Sequence, residues 1–403
     1  MPHVNGQILT WARETAGLTR EQAVEKLEIK DARGVSALDR LILLESEKEA
    51  PSRAMLVKMA RHYRRPLIAF YLSGPPRKGD RGEDFRTLPA GHSETADALL
   101  DALIRDVRAR QSIVRSVLED EEELEPRSFV GSAGMSDGVA RIVESIRAVT
   151  GVRLTEFRSQ PSAEDAFAYL RNHVELAGVF VLLIGNLGSH HTAIDLETFR
   201  GFALADPIAP FIIINDQDAK SAWSFSLLHE LAHIWLGTTG VSSNSGGAAI
   251  EQFCNDVAGE FLLPTDELAA VNISDRTDLA QASAIISEFA DHRRIGRSMV
   301  AYKLLRNNII AQRTWRQLSA AFHQQWLHDR AASRERDRHS EGGPSYYVVR
   351  RHRLGQALLS FVQRTMSDGA LSPTKAGKVL GVKPRNVAPL LSKLGPVGAG
   401  RSA

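Results

Sequence analysis

The stretch LLHELAHIWLG, residues 227–237, sets two histidines four positions apart, with a glutamate directly after the first and apolar residues on both sides. On an α-helix, positions i and i+4 lie about 40° apart around the axis and one turn along it. His229 and His233 then face the same way, and their imidazoles can share one metal ion. Glu230 is turned about 100° from His229. It is out of line for that pair but in reach of a water beside the ion. H-E-x-x-H is thus the pattern of a zinc peptidase helix, with two ligands and a general base. The same five residues also arise by chance in buried structural helices. The flanking Leu227, Leu228, Ile234 and Leu236 suit either reading.

Its surroundings favour the metal. A hydrolytic zinc takes three protein ligands and leaves one position for water, so a third ligand is expected downstream. Glu251 leads a second helical pattern, AIEQFCNDVAGEFLLP, after a Gly/Ser-rich loop at 237–248. Asn255, one turn on, is placed to hold a ligand histidine by its second ring nitrogen. Upstream, VFVLLI (179–184) and FIII (211–214) read as buried strands, and TAIDLETFRGFAL between them carries one or two more. Cys254 reads as a small buried residue turned from the metal, and His190 and His191 as loop residues. Tyr302, His292 and Arg293 qualify as oxyanion donors by chemistry only.

FIIIND followed by WSFSLLHELAHIWLG and IEQFCNDVAGEFLLP resembles the ImmA/IrrE family of zinc metallopeptidases. Glu251, Asn255, Ala258, Glu260, Leu262 and Pro264 match the family's second motif, while Cys254 stands for its usual Ala and Val257 for its usual Phe. The similarity is strongest over roughly residues 160–270. It implies Zn²⁺ on His229, His233 and Glu251, with Glu230 as base. It also implies an endopeptidase acting on a specific protein, plausibly a helix-turn-helix repressor, to switch on mobile-element or stress-response genes. The expected fold is α+β and predominantly helical: a zincin-like core with a small sheet on the H-E-x-x-H helix, flanked by helix-turn-helix-like modules.

The rest of the chain sets the frame. With 403 residues, 43% of them hydrophobic and 24% charged, it suits two to four globular domains. A net charge of +2 argues against wholesale nucleic-acid binding, and one cysteine fits a reducing compartment. No secretory leader and no membrane span are read, so a cytoplasmic location is expected. Residues 1–72 resemble an Xre-type helix-turn-helix module; 73–150 read as a linker and helical segment, and 151–328 as the peptidase domain with following helices. Residues 329–344 read as a charged linker and 345–403 as a C-terminal helical module. Base readers are sparse in the first module, where Arg40 is the candidate DNA contact. In the last, Lys383, Arg385 and Asn386 stand at the start of a second helix. The alternative reading is a DNA-binding regulator, or an antitoxin-like partner, with a non-catalytic metal site. An intact Glu230 speaks against it, since a structural site needs no base.

Overall fold

Four polar caps divide the N-terminal residues into helices: Asn5, Thr19, Ser36 and Ser52 each accept a backbone N–H in the first turn of the helix that follows. The helices are α1 (Gly6–Glu14), α2 (Arg20–Leu27), α3 (Ala37–Glu45) and α4 (Arg53–His62). This computed structural model describes residues 4–32, 34–76, 94–120, 125–238, 247–274, 277–339 and 345–392. They divide into two units, Met1–Val107 with Asn186–Thr198 and Arg108–Gly185 with Phe199–Ala403. In the first, Ile8, Leu9, Leu27, Leu41, Leu56, Met59 and Phe70 form the core of the small helical bundle. A buried ion pair crosses it, with Arg13 Nε 2.6 Å from Glu45 Oε1 and Arg20 Nε 2.9 Å from Glu45 Oε2. Helix α5 (Glu94–Glu119) spans the boundary between the units.

The second unit is built on a sheet. Helices α6 (Val139–Thr150), α7 (Leu154–Arg158) and α8 (Ala163–Leu176) lead into β1 (Phe180–Leu183), β2 (Gly201–Leu204) and β3 (Phe211–Ile214). The strand order is β1-β3-β2. β3 runs parallel to β1, with Phe180 opposite Phe211, and antiparallel to β2, with Gly201 opposite Ile214. All four residues of β1 and of β3 are buried, as in strands with both faces covered. Then come α9 (Lys220–Trp235), α10 (Gly247–Leu262), α11 (Leu279–Arg293), α12 (Arg297–Arg306) and α13 (Gln312–His339). The described residues are thus mostly helical with one small sheet, an α+β arrangement. The charged run expected as a linker from 329 instead continues α13 to His339. It contains no Gly or Pro before Gly342, and its Arg, Glu and Ala residues favour helix. Residues 340–344 lie outside the described set.

Four short helices close the unit: α14 (Tyr346–Leu354), α15 (Gln356–Ser367), α16 (Pro373–Leu380) and α17 (Val387–Leu391). They are fastened to the sheet by a buried pair on α8. Arg171 Nη1 donates to the His352 carbonyl at 2.6 Å, and Arg171 Nη2 reaches the carbonyl of Val181 in β1. Glu175 Oε2 accepts the backbone N–H groups of Gln356 and Ala357 at 2.9 and 3.1 Å, capping α15 where Gly355 offers no side chain. A Cβ on Gly355, whose φ is +78°, would fall 2.0 Å from Glu175 Oε1. Glycine is therefore required there on both conformational and steric grounds.

Candidate metal centre

Helix α9 is buried on nearly every side: Trp223, Leu227, Leu228, Leu231, Ala232, Ile234 and Trp235 join the core, and Glu230 and His233 are buried with them. Trp235 stacks on Phe129 at 4.6 Å and donates to Ser145 Oγ at 2.9 Å, which fixes the last turn. α10 packs alongside α9. Across that contact His229 Nε2 lies 3.1 Å from Glu251 Oε2, and His233 Nε2 lies 3.1 Å from Glu251 Oε1. The two Nε2 atoms are 3.2 Å apart. Among the described residues this is the only His, Cys, Asp or Glu group spaced to hold a metal ion. The donor set suits zinc. A tetrahedral ion with bonds of about 2.0–2.1 Å keeps its ligand atoms roughly 3.3 Å apart, close to the spacing seen.

The end of α9 orients one ligand. Gly237 has φ +65°, its N–H reaches the Ile234 carbonyl and the Thr238 N–H reaches the His233 carbonyl, both at 3.0 Å, a Schellman termination. That fold-back sets Thr238 Oγ1 2.9 Å from His233 Nδ1. With the hydroxyl proton directed to the His233 carbonyl, 3.3 Å away, its oxygen is placed to accept from Nδ1–H. Nε2 then keeps its lone pair for a metal. Among the described residues Asn255 bonds neither ring, and the partner of His233 comes from its own helix end. His229 Nδ1 is buried without a protein partner. Thr238 was missed in the sequence, although the Gly-Thr pair after the helix was the available signal.

Glu230 is buried next to the two imidazoles. Burial pushes its carboxyl up to about 8; His233 opposes the rise and Glu251 adds to it. β2 presses directly on it. A Cβ on Gly201 would fall 2.9 Å from Glu230 Oε1 and 3.0 Å from its Cγ, so glycine at that point leaves room for the carboxylate. Gly201 is a second residue that sequence reasoning did not single out.

The C-terminal end of α10 is held by cations from elsewhere. Arg147 donates to the Phe261 carbonyl at 3.1 Å, Arg158 to Leu262 at 3.0 Å, and Lys303 on α12 to Gly259 at 3.2 Å and to Leu263. Lys303 also pairs with Glu260 at 2.6 Å. These contacts satisfy the helix's last carbonyls.

The other candidates do not join this group of three. Cys254 is buried, and burial, with Glu230 and Glu251, pushes its thiol up, against a nucleophilic role. Arg293 stacks on Phe289 at 3.6 Å and pairs with Glu267 at 3.0 Å, and His292 is exposed near Glu288. The Tyr302 hydroxyl contacts Gln252. Arg40, in the N-terminal unit, donates from Nη1 to the Lys30 carbonyl at 2.6 Å. Lys383, Arg385 and Asn386 lie between α16 and α17.

Residues 185–305 match the family model of the IrrE N-terminal-like domain, a peptidase family. The match spans α9, α10 and the three site residues, and it supports a metallopeptidase-type function for this region. No curated protein and no solved structure matches the chain. No helix among the described residues is long and apolar enough to cross a membrane.

Proposed function

We propose that this protein is a cytoplasmic zinc-dependent endopeptidase, with His229, His233 and Glu251 as the metal ligands and Glu230 as the general base. The carrying observation is the convergence of two imidazole nitrogens and a carboxylate within 4.8 Å of one another beside a buried second carboxylate. A bound Zn²⁺ would supply Lewis-acid polarisation of a peptide carbonyl and would acidify a water. Thr238 keeps His233 in the tautomer that can ligate. Gly201 leaves space for Glu230 to stand beside the ligands. Glu230 takes a proton from the attacking water and returns it to the amine that leaves, and its place beside the two imidazoles and Glu251 suits both acts. Two carboxylates thus divide the work: Glu251 between the imidazoles holds charge, and Glu230 carries the proton.

The substrate class follows from the family likeness rather than from the site: a helix-turn-helix repressor whose cleavage releases mobile-element or stress-response genes. The test incubates zinc-loaded protein with a candidate repressor and maps fragments by mass spectrometry. One discrete cut is expected. A Glu230→Gln variant should bind zinc equally and lose cleavage by roughly 10²–10⁴-fold. Undiminished cleavage by that variant would remove Glu230 from the mechanism.

A further inference from the structure

We propose that residues 345–392 bind duplex DNA through a cationic face made by Lys375, Lys378, Lys383 and Arg385. The inference is independent of the peptidase reading. Charge is segregated along this chain. Residues 345–392 hold eight Lys or Arg against a single acid, Asp368, whereas the other 355 residues hold 42 against 47. A near-neutral total therefore conceals a strongly basic segment.

The cations of this segment divide by role. Arg350 donates to the carbonyls of Leu380 and Gly381 at 2.9 and 2.8 Å, closing the end of α16. Arg351 reaches the Leu390 carbonyl at 3.4 Å, and Arg353 pairs with Asp216 at 2.6 Å. These three serve packing. Lys375, Lys378, Lys383 and Arg385 are all exposed, and among the described residues no acidic side chain pairs with them. No structural task accounts for four unneutralised cations on one small module.

Their scaffold is a helix-turn-helix. Ser372 caps α16, Gly381 ends it in the left-handed region at φ +61°, and the chain turns through Pro384–Asn386 into α17. Ala376, Val379, Leu380, Val387 and Leu390 are buried between the two elements and α14–α15. A Cβ on Gly377 would fall 2.8 Å from the Val382 carbonyl and 3.2 Å from Pro384 N, so the turn crosses the first helix in direct contact. Lys375 and Lys378 stand one turn apart on the exposed side of α16, and Lys383 and Arg385 flank the start of the second element. A rigid two-helix corner with cations along the first helix and at the head of the second suits a phosphate backbone and a major groove. Asn386, beside Arg385, adds an amide suited to a base edge. The large apolar side chains of α16 and α17 are buried, which disfavours insertion into a lipid surface.

The test uses full-length protein and a fluorescein-labelled 30-base-pair duplex of arbitrary sequence, read by anisotropy across a salt series. Binding should weaken with a log–log slope of roughly −3 to −4 for about four phosphate contacts. The doubly substituted Lys383→Glu/Arg385→Glu protein should bind at least about tenfold more weakly and with a shallower slope. Its circular dichroism should be unchanged, because both side chains are exposed. A matching control, Arg61→Glu/Arg64→Glu in the N-terminal bundle, should bind like the parent. Four results would overturn the proposal: no binding at low salt, no effect of the first pair of changes, a larger effect of the control pair, or equal affinity for single-stranded DNA of the same sequence.

Discussion

Helices α9 and α10 meet at one site but are positioned by opposite means. α9 is set by its immediate sequence: apolar residues on nearly every side, a Gly-Thr termination, and a ligand oriented by the hydroxyl five residues on. α10 has only partly buried Glu251 near its start, and its far end is held by Arg147, Arg158 and Lys303 from three other segments. A candidate metal site can thus combine a locally written half with a half that only the tertiary fold writes. Changes near α9 should therefore alter chemistry at constant stability, and changes behind α10 should alter stability first.

The largest effect on chemistry short of deleting a proposed site residue is expected at Gly201. A Cβ there would press on the Glu230 side chain and would also meet the Ile213 backbone carbonyl at 3.0 Å. Gly201→Ala should lower cleavage by roughly 10–100-fold, since a shift near 1 Å in a catalytic group has that scale. Zinc content should stay near the parent value, and the thermal midpoint should fall slightly, because β3 must give way at the Ile213 carbonyl. Loss of zinc in this variant would show that β2 supports the ligands instead. Next comes Thr238→Val, which keeps volume and removes the hydroxyl. Zinc affinity, measured by competition with a chromophoric chelator, should fall by about 10–100-fold. An unchanged affinity would mean that His233 needs no orienting partner.

Behind α10, Lys303→Met should leave the Leu263 carbonyl without its Lys303 donor, while the Gly259 carbonyl keeps the Leu263 N–H at 3.0 Å. A cost of about 1–3 kcal/mol is expected in denaturant unfolding, with zinc affinity changed less than in Thr238→Val. The smallest effect concerns acid. For Glu267 and Glu260 burial acts upward, but hydrogen bonds outweigh it, from Arg158 and Arg293 to the first and from Lys303 and Thr265 to the second. Both carboxyls thus titrate below their ordinary 4.5 in the folded chain. Their stabilisation is complete above that value and is lost as pH falls through the lowered folded value. Their contribution should be constant above about pH 5 and decline below it, and Glu267→Gln should make the fall of the unfolding midpoint in that acid range shallower.

What the sequence disclosed follows the same division. His229, Glu230 and His233 were legible because i, i+4 spacing is a property of one helix. Glu251 was legible from a helix led by a glutamate after a turning loop, and the buried strands from their unbroken apolar runs. Asn255 shares a helix face with Glu251, but of the two ring nitrogens it could hold, that of His233 is met by Thr238 and that of His229 has no protein partner. Lys303 and Gly201 could not be read at all: one acts 44 residues from the carbonyl it satisfies, and the other matters only because β2 folds against α9. The charged run after Asp329 was misjudged because charge was read as linker, while its freedom from Gly and Pro lets α13 continue.

X-ray absorption at the zinc edge of the loaded protein tests the central claim most directly. The account predicts one zinc per chain with two imidazole nitrogens and carboxylate oxygen at about 2.0–2.2 Å and no sulfur, an unaltered spectrum in Glu230→Gln, and a lost site in Glu251→Ala. Full zinc occupancy with unchanged imidazole scattering in Glu251→Ala, or sulfur from Cys254 in the coordination shell, would contradict it.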